Sequence, residues 1–123
     1  MKFTSRVIVG QQHGRTIGYP TANLAVTDAA KQALGKEGVY AVKVRTKIGE
    51  YAGALFYGQR TLFKEEKIIC EVLLINFTGD LYGEEVGIEI IKFLRPVQSV
   101  KDEEELKRLI EQDIANTIKL FNQ

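Results

Sequence analysis

Apolar and polar residues alternate in short segments over the first three quarters of the chain, and glycine-containing turns separate these segments. Alternation with a period of two is typical of β-strands that bury one face. Many short strands joined by hairpin-like turns favour an antiparallel barrel or sandwich over a doubly wound parallel sheet. The predicted strands cover residues 3–9, 21–23, 39–45, 51–57, 68–77 and 85–95.

The last quarter of the chain changes to a helical pattern. Residues 99–102 have the form of a capping box, and the acidic residues up to 105 suit the first turn of a helix. Earlier in the chain, the alanines within residues 28–36 allow a short helical turn. The apolar residues of the tail fall on one helical stripe, which predicts a C-terminal helix packed on a barrel: Leu106, Leu109, Ile110, Ile114, Ile118 and Phe121.

Length and composition restrict the class of protein. A chain of 123 residues suffices for one domain, residues 1–123, with a hydrophobic core. The net charge of +1 lacks the basic excess that nucleic-acid-binding proteins carry. No apolar run approaches the length of a membrane span, and the first residues do not resemble a signal peptide. We therefore expect a cytoplasmic monomer that binds neither nucleic acid nor a membrane.

One cysteine and one histidine leave little from which to build a zinc site or a Ser-His-Asp triad. The single cysteine also excludes an intramolecular disulfide. Cys70 lies in an apolar run, so we expect it to be a small core residue and not a nucleophile.

The segment of residues 14–23 combines two glycines, a proline, a hydroxyl and an amide. Pro20 favours extended backbone at the residue before it. If the extended path continues, Thr21 and Asn23 lie on one side of a strand while Ala22 lies on the other. Two neutral oxygen ligands on one side suit a hydrated magnesium ion that carries nucleotide phosphates. A turn that leads into a strand explains the spacing more simply, with Thr21 and Asn23 in local hydrogen bonds.

Glu71 is the only acid in the apolar run of residues 68–75. Its carboxylate faces either solvent on an open side of the sheet or a cleft. In a cleft it suits a general base. The opposing interpretation is an outward-facing glutamate paired with a lysine on the adjacent strand. The residues alone leave both interpretations open.

The glycines at positions 10, 14 and 18 form neither of the common phosphate-binding fingerprints. No Gly-Lys-Ser/Thr follows them, and the strand–turn–helix context of a dinucleotide site is missing. A backbone nest for phosphate oxygens remains open, and Arg15 could add positive charge there. A loop with a solvated arginine explains the same residues.

Residues 14–24 closely resemble the signature of the riboflavin kinase family. Further blocks resemble this family in the same order and at similar spacing, and together they span nearly the whole chain. They are residues 38–41, 71–77, 80–83, 93–96 and 106–113.

The resemblance implies a mainly β fold, a six-stranded antiparallel Greek-key β-barrel with a C-terminal α-helix. It also implies transfer of the ATP γ-phosphoryl group to the 5′-hydroxyl of riboflavin, which gives FMN and ADP. In this family, the residues that match Thr21 and Asn23 bind Mg²⁺, and the glutamate that matches Glu71 is taken as the base. The resemblance further implies nucleotide contacts from Gly10, Gly14, Arg15, Thr16, Gly18 and Pro20, and flavin contacts from Arg95 and Tyr82.

The chain departs from the family pattern near the expected ligand. Bacterial members usually have an asparagine where Phe56 stands and a Pro-Thr pair where Thr61 and Leu62 stand. The basic residues usual before the Gly-Arg-Thr block are replaced by residues 11–13, Gln-Gln-His. These departures motivate an alternative, a barrel that binds flavin or nucleotide without turnover.

Two further expectations complete the sequence-based prediction. An oligonucleotide-binding barrel is the generic alternative for a small β-barrel, and the net charge argues against it. Many bacterial relatives carry an N-terminal adenylyltransferase domain that converts FMN to FAD. These 123 residues begin almost at the first predicted strand, so we expect that domain to be absent from them.

Overall fold

The computed structural model describes residues 1–8, 21–59 and 67–122. Within these ranges the chain forms six strands and two helices. The strands are β1 (Lys2–Ile8), β2 (Thr21–Leu24), β3 (Gly38–Thr46), β4 (Gly49–Gly58), β5 (Ile69–Leu74) and β6 (Glu85–Arg95), and the helices are α1 (Asp28–Leu34) and α2 (Glu103–Phe121).

The six strands close into a barrel in the order β1-β2-β5-β4-β3-β6, and every neighbouring pair is antiparallel. The first strand pairs with the last, so that Phe3 lies opposite Ile88. Strands β2 and β5 are neighbours although two other strands separate them along the chain, which is the non-sequential pairing of a Greek key. The predicted antiparallel barrel is therefore confirmed.

The barrel interior holds the main hydrophobic core, and alternate residues of each strand point into it. On β5 the interior positions include Cys70 and Val72, which are 1% and 0% exposed. Burial raises the pKa of the Cys70 thiol to about 12, so the thiol is protonated at neutral pH. The prediction that Cys70 is a core residue is confirmed.

Helix α2 lies on the outer face of the barrel, where it forms a second, smaller cluster. Leu106 and Ile110 pack there against Ala54 of β4 and Leu73 of β5. The small side chain of Ala54 allows the helix to approach the sheet closely. The predicted C-terminal helix is confirmed in this packing.

Two details of the α2 prediction are wrong. The N-cap is Asp102 and not Ser99, because Asp102 Oδ1 accepts a hydrogen bond from the backbone N–H of Glu105 at 2.9 Å. The C-terminal half of the helix buries Asp113 and Thr117, whereas Ile118 is 39% exposed. Beyond Ile110, the buried face of the helix therefore no longer coincides with the predicted apolar stripe.

The predicted strand over residues 68–77 is too long. Strand β5 ends at Leu74, and Asn76 has a φ of 60°, a left-handed conformation that a continuing strand does not contain. Phe77 nevertheless packs into the barrel core, because the turn folds it back against Tyr51 at a ring-centroid distance of 5.0 Å. Its apolar character reflects this packing and not a position in the strand.

Candidate active site

Strand β2 presents two polar side chains on the outer face of the barrel. Ala22 and Leu24 belong to the interior core, so Thr21 and Asn23 lie on the opposite face. Both are buried, with 6% of each residue exposed. The predicted alternation along this segment is confirmed.

Glu71 lies on the same outer face, directly opposite Asn23 across the β2–β5 pair. Its chain neighbours Cys70 and Val72 point into the core, so the Glu71 side chain points outward. Only 1% of the residue is exposed. This burial rules out the interpretation of Glu71 as a solvent-facing glutamate, and the residues opposite it in the sheet are Asn23 and Phe56.

One cross-strand row therefore brings together an amide, a carboxylate and an aromatic ring. Asn23 on β2, Glu71 on β5 and Phe56 on β4 are consecutive members of this row. Side chains directly opposite each other in antiparallel strands have Cβ atoms about 5 Å apart. Phe56 is 5% exposed and lies on the face opposite Leu55 and Tyr57, which belong to the core.

The outer face offers hard oxygen donors for a cation. The Thr21 hydroxyl oxygen is buried and has no hydrogen-bond partner among the described residues. A buried hydroxyl without a partner is costly, which is expected where a ligand completes the site. The described parts of the chain contain no cluster of three His, Cys, Asp or Glu side chains, so they offer no zinc-like donor set. The neutral oxygens beside one carboxylate fit magnesium with phosphate ligands.

The two residues predicted to contact flavin are not brought together. Arg95 ends β6, whereas Tyr82 precedes the other end of this eleven-residue strand. A strand rises about 3.3 Å per residue, so roughly 30 Å of strand separates them. Tyr82 is 62% exposed, and the adjacent Gly83 donates its N–H to the carbonyl of Val7 at the end of β1.

Arg95 is engaged in a buried ion pair that sequence reasoning missed. Its Nε and Nη2 donate to the two carboxylate oxygens of Asp113 on α2, each at 2.8 Å. The side chains of Arg95 and Asp113 are only 16% and 5% exposed. The pair fixes α2 to the end of β6. The one signal for it in the sequence was that Asp113 follows Leu106 and Ile110 at helical spacing, which places an acid on the buried face of the helix.

The predicted nucleotide-binding residues fall outside the described residues. This holds for Gly10, Gly14, Arg15, Thr16, Gly18 and Pro20, and also for the departures at Thr61 and Leu62.

The fold and the outer face define a small antiparallel barrel with a C-terminal helix and a buried carboxylate beside two neutral oxygen donors. The family model for flavokinases, described as riboflavin kinase, matches residues 1–121. The chain therefore belongs to the riboflavin kinase family, and the resemblance inferred from its sequence blocks is confirmed.

Individual relatives agree with this assignment. The chain is 37% identical over 118 residues to a bifunctional riboflavin kinase/FMN adenylyltransferase from Haemophilus influenzae. The match covers 95% of this chain but only 37% of the length of that relative.

Solved structures share the fold. A riboflavin kinase from Trypanosoma brucei superposes with a TM-score of 0.69 at 22% identity, over 99% of this chain and 80% of that one. A structure described as a macrolide-efflux protein from Streptococcus pneumoniae superposes with a TM-score of 0.77 at 30% identity, over 94% of this chain and 38% of that one. In the described part of this chain, no helix is long and apolar enough to cross a membrane.

Proposed function

We propose that this chain is a riboflavin kinase that transfers the γ-phosphoryl group of ATP to the 5′-hydroxyl of riboflavin. The observation that carries the proposal is the pairing of Asn23 with Glu71 across β2 and β5, with Thr21 on the same buried face. Membership in the riboflavin kinase family supplies the reaction class. The name of the Haemophilus influenzae relative supports the same substrate.

Glu71 acts as the general base in this proposal. The oxygen of the flavin 5′-hydroxyl forms a bond to the γ-phosphorus while the bond from that phosphorus to the β,γ-bridging oxygen breaks. The hydroxyl proton passes to the Glu71 carboxylate, and ADP and FMN leave. A base for this step must lie within about 3 Å of the hydroxyl oxygen. The buried position of Glu71 limits competing access by water.

Thr21 and Asn23 would hold the magnesium ion through the side-chain hydroxyl and the side-chain amide oxygen. When bound there, the ion supplies positive charge that neutralises phosphate oxygens during phosphoryl transfer. Thr21 fits this role because its buried hydroxyl oxygen has no partner among the described residues. Asn23 fits because it lies two residues away on the same face and next to Glu71.

The geometry supports Arg95 as a positioning residue for α2, because Asp113 occupies two of its nitrogens. Tyr82 lies at the other end of β6, so one flavin ring in contact with both residues is not supported. The alternative of a barrel without turnover is not favoured, because Thr21, Asn23 and Glu71 share one face.

The test is FMN formation from riboflavin, ATP and Mg²⁺, followed by chromatography of the flavins. We expect turnover by the native chain and a loss of about 10²- to 10⁴-fold in kcat for Glu71→Gln. Glu89→Gln is the matched control, because Glu89 lies on β6 between β1 and β3, across the barrel from β5. It should leave kcat unchanged.

Three outcomes would count against the proposal. Absence of FMN with riboflavin still bound favours the barrel without turnover. Equal kcat for Glu71→Gln and the native chain removes Glu71 as the base. A salt-sensitive gel shift with oligonucleotide would favour a nucleic-acid-binding function instead.

A further inference from the structure

The outer face of the barrel changes its chemical character at Glu71. On the β2 side, Thr21 and Asn23 present a hydroxyl and an amide. On the β4 side, the next member of the row is Phe56, and the member after it is Val39 of β3. A polar half and an apolar half thus meet at the carboxylate.

A second row beside the first is apolar over the same strands. Leu73, Ala54 and Ala41 lie opposite one another on β5, β4 and β3, and Leu73 and Ala54 are covered by α2. On the apolar half, the described positions of these two rows carry no hydrogen-bonding side chain, whereas on the other side of Phe56 the Glu37 carboxylate and Val97 lie against Gly58. In the first row, the next side chain with hydrogen-bonding groups is Arg95, which lies opposite Val39 on β6. The carboxylate of Asp113 already binds the Arg95 guanidinium.

The polar half suits the phosphate donor, because Thr21 and Asn23 offer the oxygens that a magnesium ion with nucleotide phosphates requires. The acceptor then reaches Glu71 from the apolar half. Its reacting hydroxyl must come within about 3 Å of the Glu71 carboxylate. Phe56 is the register partner of Glu71, and such partners have Cβ atoms about 5 Å apart. The carbons next to the reacting hydroxyl therefore pass the Phe56 ring.

We propose that Phe56 is a specificity-determining residue that recognises the acceptor side chain through its carbon skeleton and not through its secondary hydroxyls. This inference rests on the proposed kinase function. It implies a broader substrate class, namely flavins with a primary alcohol at the end of a five-carbon chain, with or without hydroxyls along that chain. An apolar wall discriminates weakly between substrates that differ by a hydroxyl, whereas a hydrogen-bonding wall rejects the analogue that lacks it.

The test compares kcat/KM for riboflavin with kcat/KM for the analogue that carries an ω-hydroxypentyl chain in place of the ribityl chain. For the native chain we expect the two values within about tenfold of each other. Phe56→Asn places a hydrogen-bonding side chain at this position and should widen the ratio by about tenfold or more. Phe56→Leu keeps an apolar wall and should leave the ratio unchanged while KM rises for both acceptors.

Phe77→Leu is the matched control, because Phe77 is a phenylalanine of similar burial that packs in the barrel core. It should lower the unfolding midpoint without changing the ratio. A native preference for riboflavin above about a thousandfold would overturn the inference. So would an unchanged ratio in a folded Phe56→Asn variant. If Phe56→Asn does not fold, the native ratio and Phe56→Leu decide. Failure to phosphorylate either flavin would instead overturn the kinase function itself.

Discussion

Two opposite sectors of the same barrel surface handle polar groups in different ways. The site sector, around Thr21, Asn23 and Glu71, buries its polar side chains beside apolar ones. The opposite sector, on β1, β6 and β3, places Glu89 between Lys2 and Lys43 in one cross-strand row.

The charged side chains of the opposite sector are exposed to solvent, and both signs of charge are present. Arg45 donates to Glu50 at 2.8 Å, with side chains 55% and 47% exposed. Gly87 separates Thr4 from Arg45 in the adjoining row and lines a pocket together with them. Exposed charges with partners need no ligand. A buried hydroxyl without a partner among the described residues, as at Thr21, fits a site that a ligand completes, and that difference supports the proposed site.

The largest contrast is expected between the two ion pairs. Asp113→Ala leaves the Arg95 guanidinium buried without its carboxylate and should lower the free energy of unfolding by about 3–5 kcal/mol. Glu50→Ala removes the partner of an exposed arginine and should lower stability far less. Urea unfolding of both variants measures the difference. Equal losses would show that burial does not distinguish the two sectors.

The second contrast uses one substitution in both sectors. Thr21→Val should raise the Mg²⁺ concentration for half-maximal activity by about tenfold or more, whereas Thr4→Val on β1 should leave it unchanged. Without ligands, Thr21→Val should keep or slightly raise the unfolding midpoint, because a methyl group replaces a buried hydroxyl without a partner. A loss of stability without any change in Mg²⁺ dependence would assign Thr21 a structural role.

The smallest effect concerns pH. The hydrogen bond from Arg45 lowers the pKa of Glu50 below its ordinary value. A carboxyl with a lowered folded-state pKa stabilises the fold above its unfolded pKa, and this contribution is lost as the pH falls through the folded pKa. The Glu50→Gln variant should therefore lose slightly less stability on acidification than the native chain does. Added salt should make this difference between the two proteins smaller. Urea midpoints at neutral and acidic pH, with and without salt, test this expectation. An equal acid loss in both proteins would contradict it.

Local features of the fold were predictable from the sequence because their causes are local. Strand β6 has the predicted bounds, since alternation begins after a turn and Pro96 ends the pairing. The common face of Thr21 and Asn23 follows from a period of two. The start of α2 was misplaced because Asp102 and Ser99 are both good N-caps, and only the packing of the first turn selects between them.

The arrangement around Glu71 could not be derived from local pattern. Its neighbours Asn23 and Phe56 come from strands far apart in the chain, and their register depends on barrel closure. The Arg95–Asp113 pair depends in the same way on how α2 crosses the end of β6. The residue pattern left the role of Glu71 open between a general base and an outward-facing glutamate, and the resemblance to a family favoured the proposed role as a base.

The pairing of β1 with β6 has a consequence for how the protein acquires its structure. Lys2 and Glu89 are partners although nearly the whole barrel sequence lies between them. Contacts this distant along the chain carry a large loop-closure entropy and slow folding. Until β6 is in place, β1 presents an open strand edge that can pair with another molecule. We expect refolding yield to fall with protein concentration, and the seam between β1 and β6 to be where folding and self-association compete.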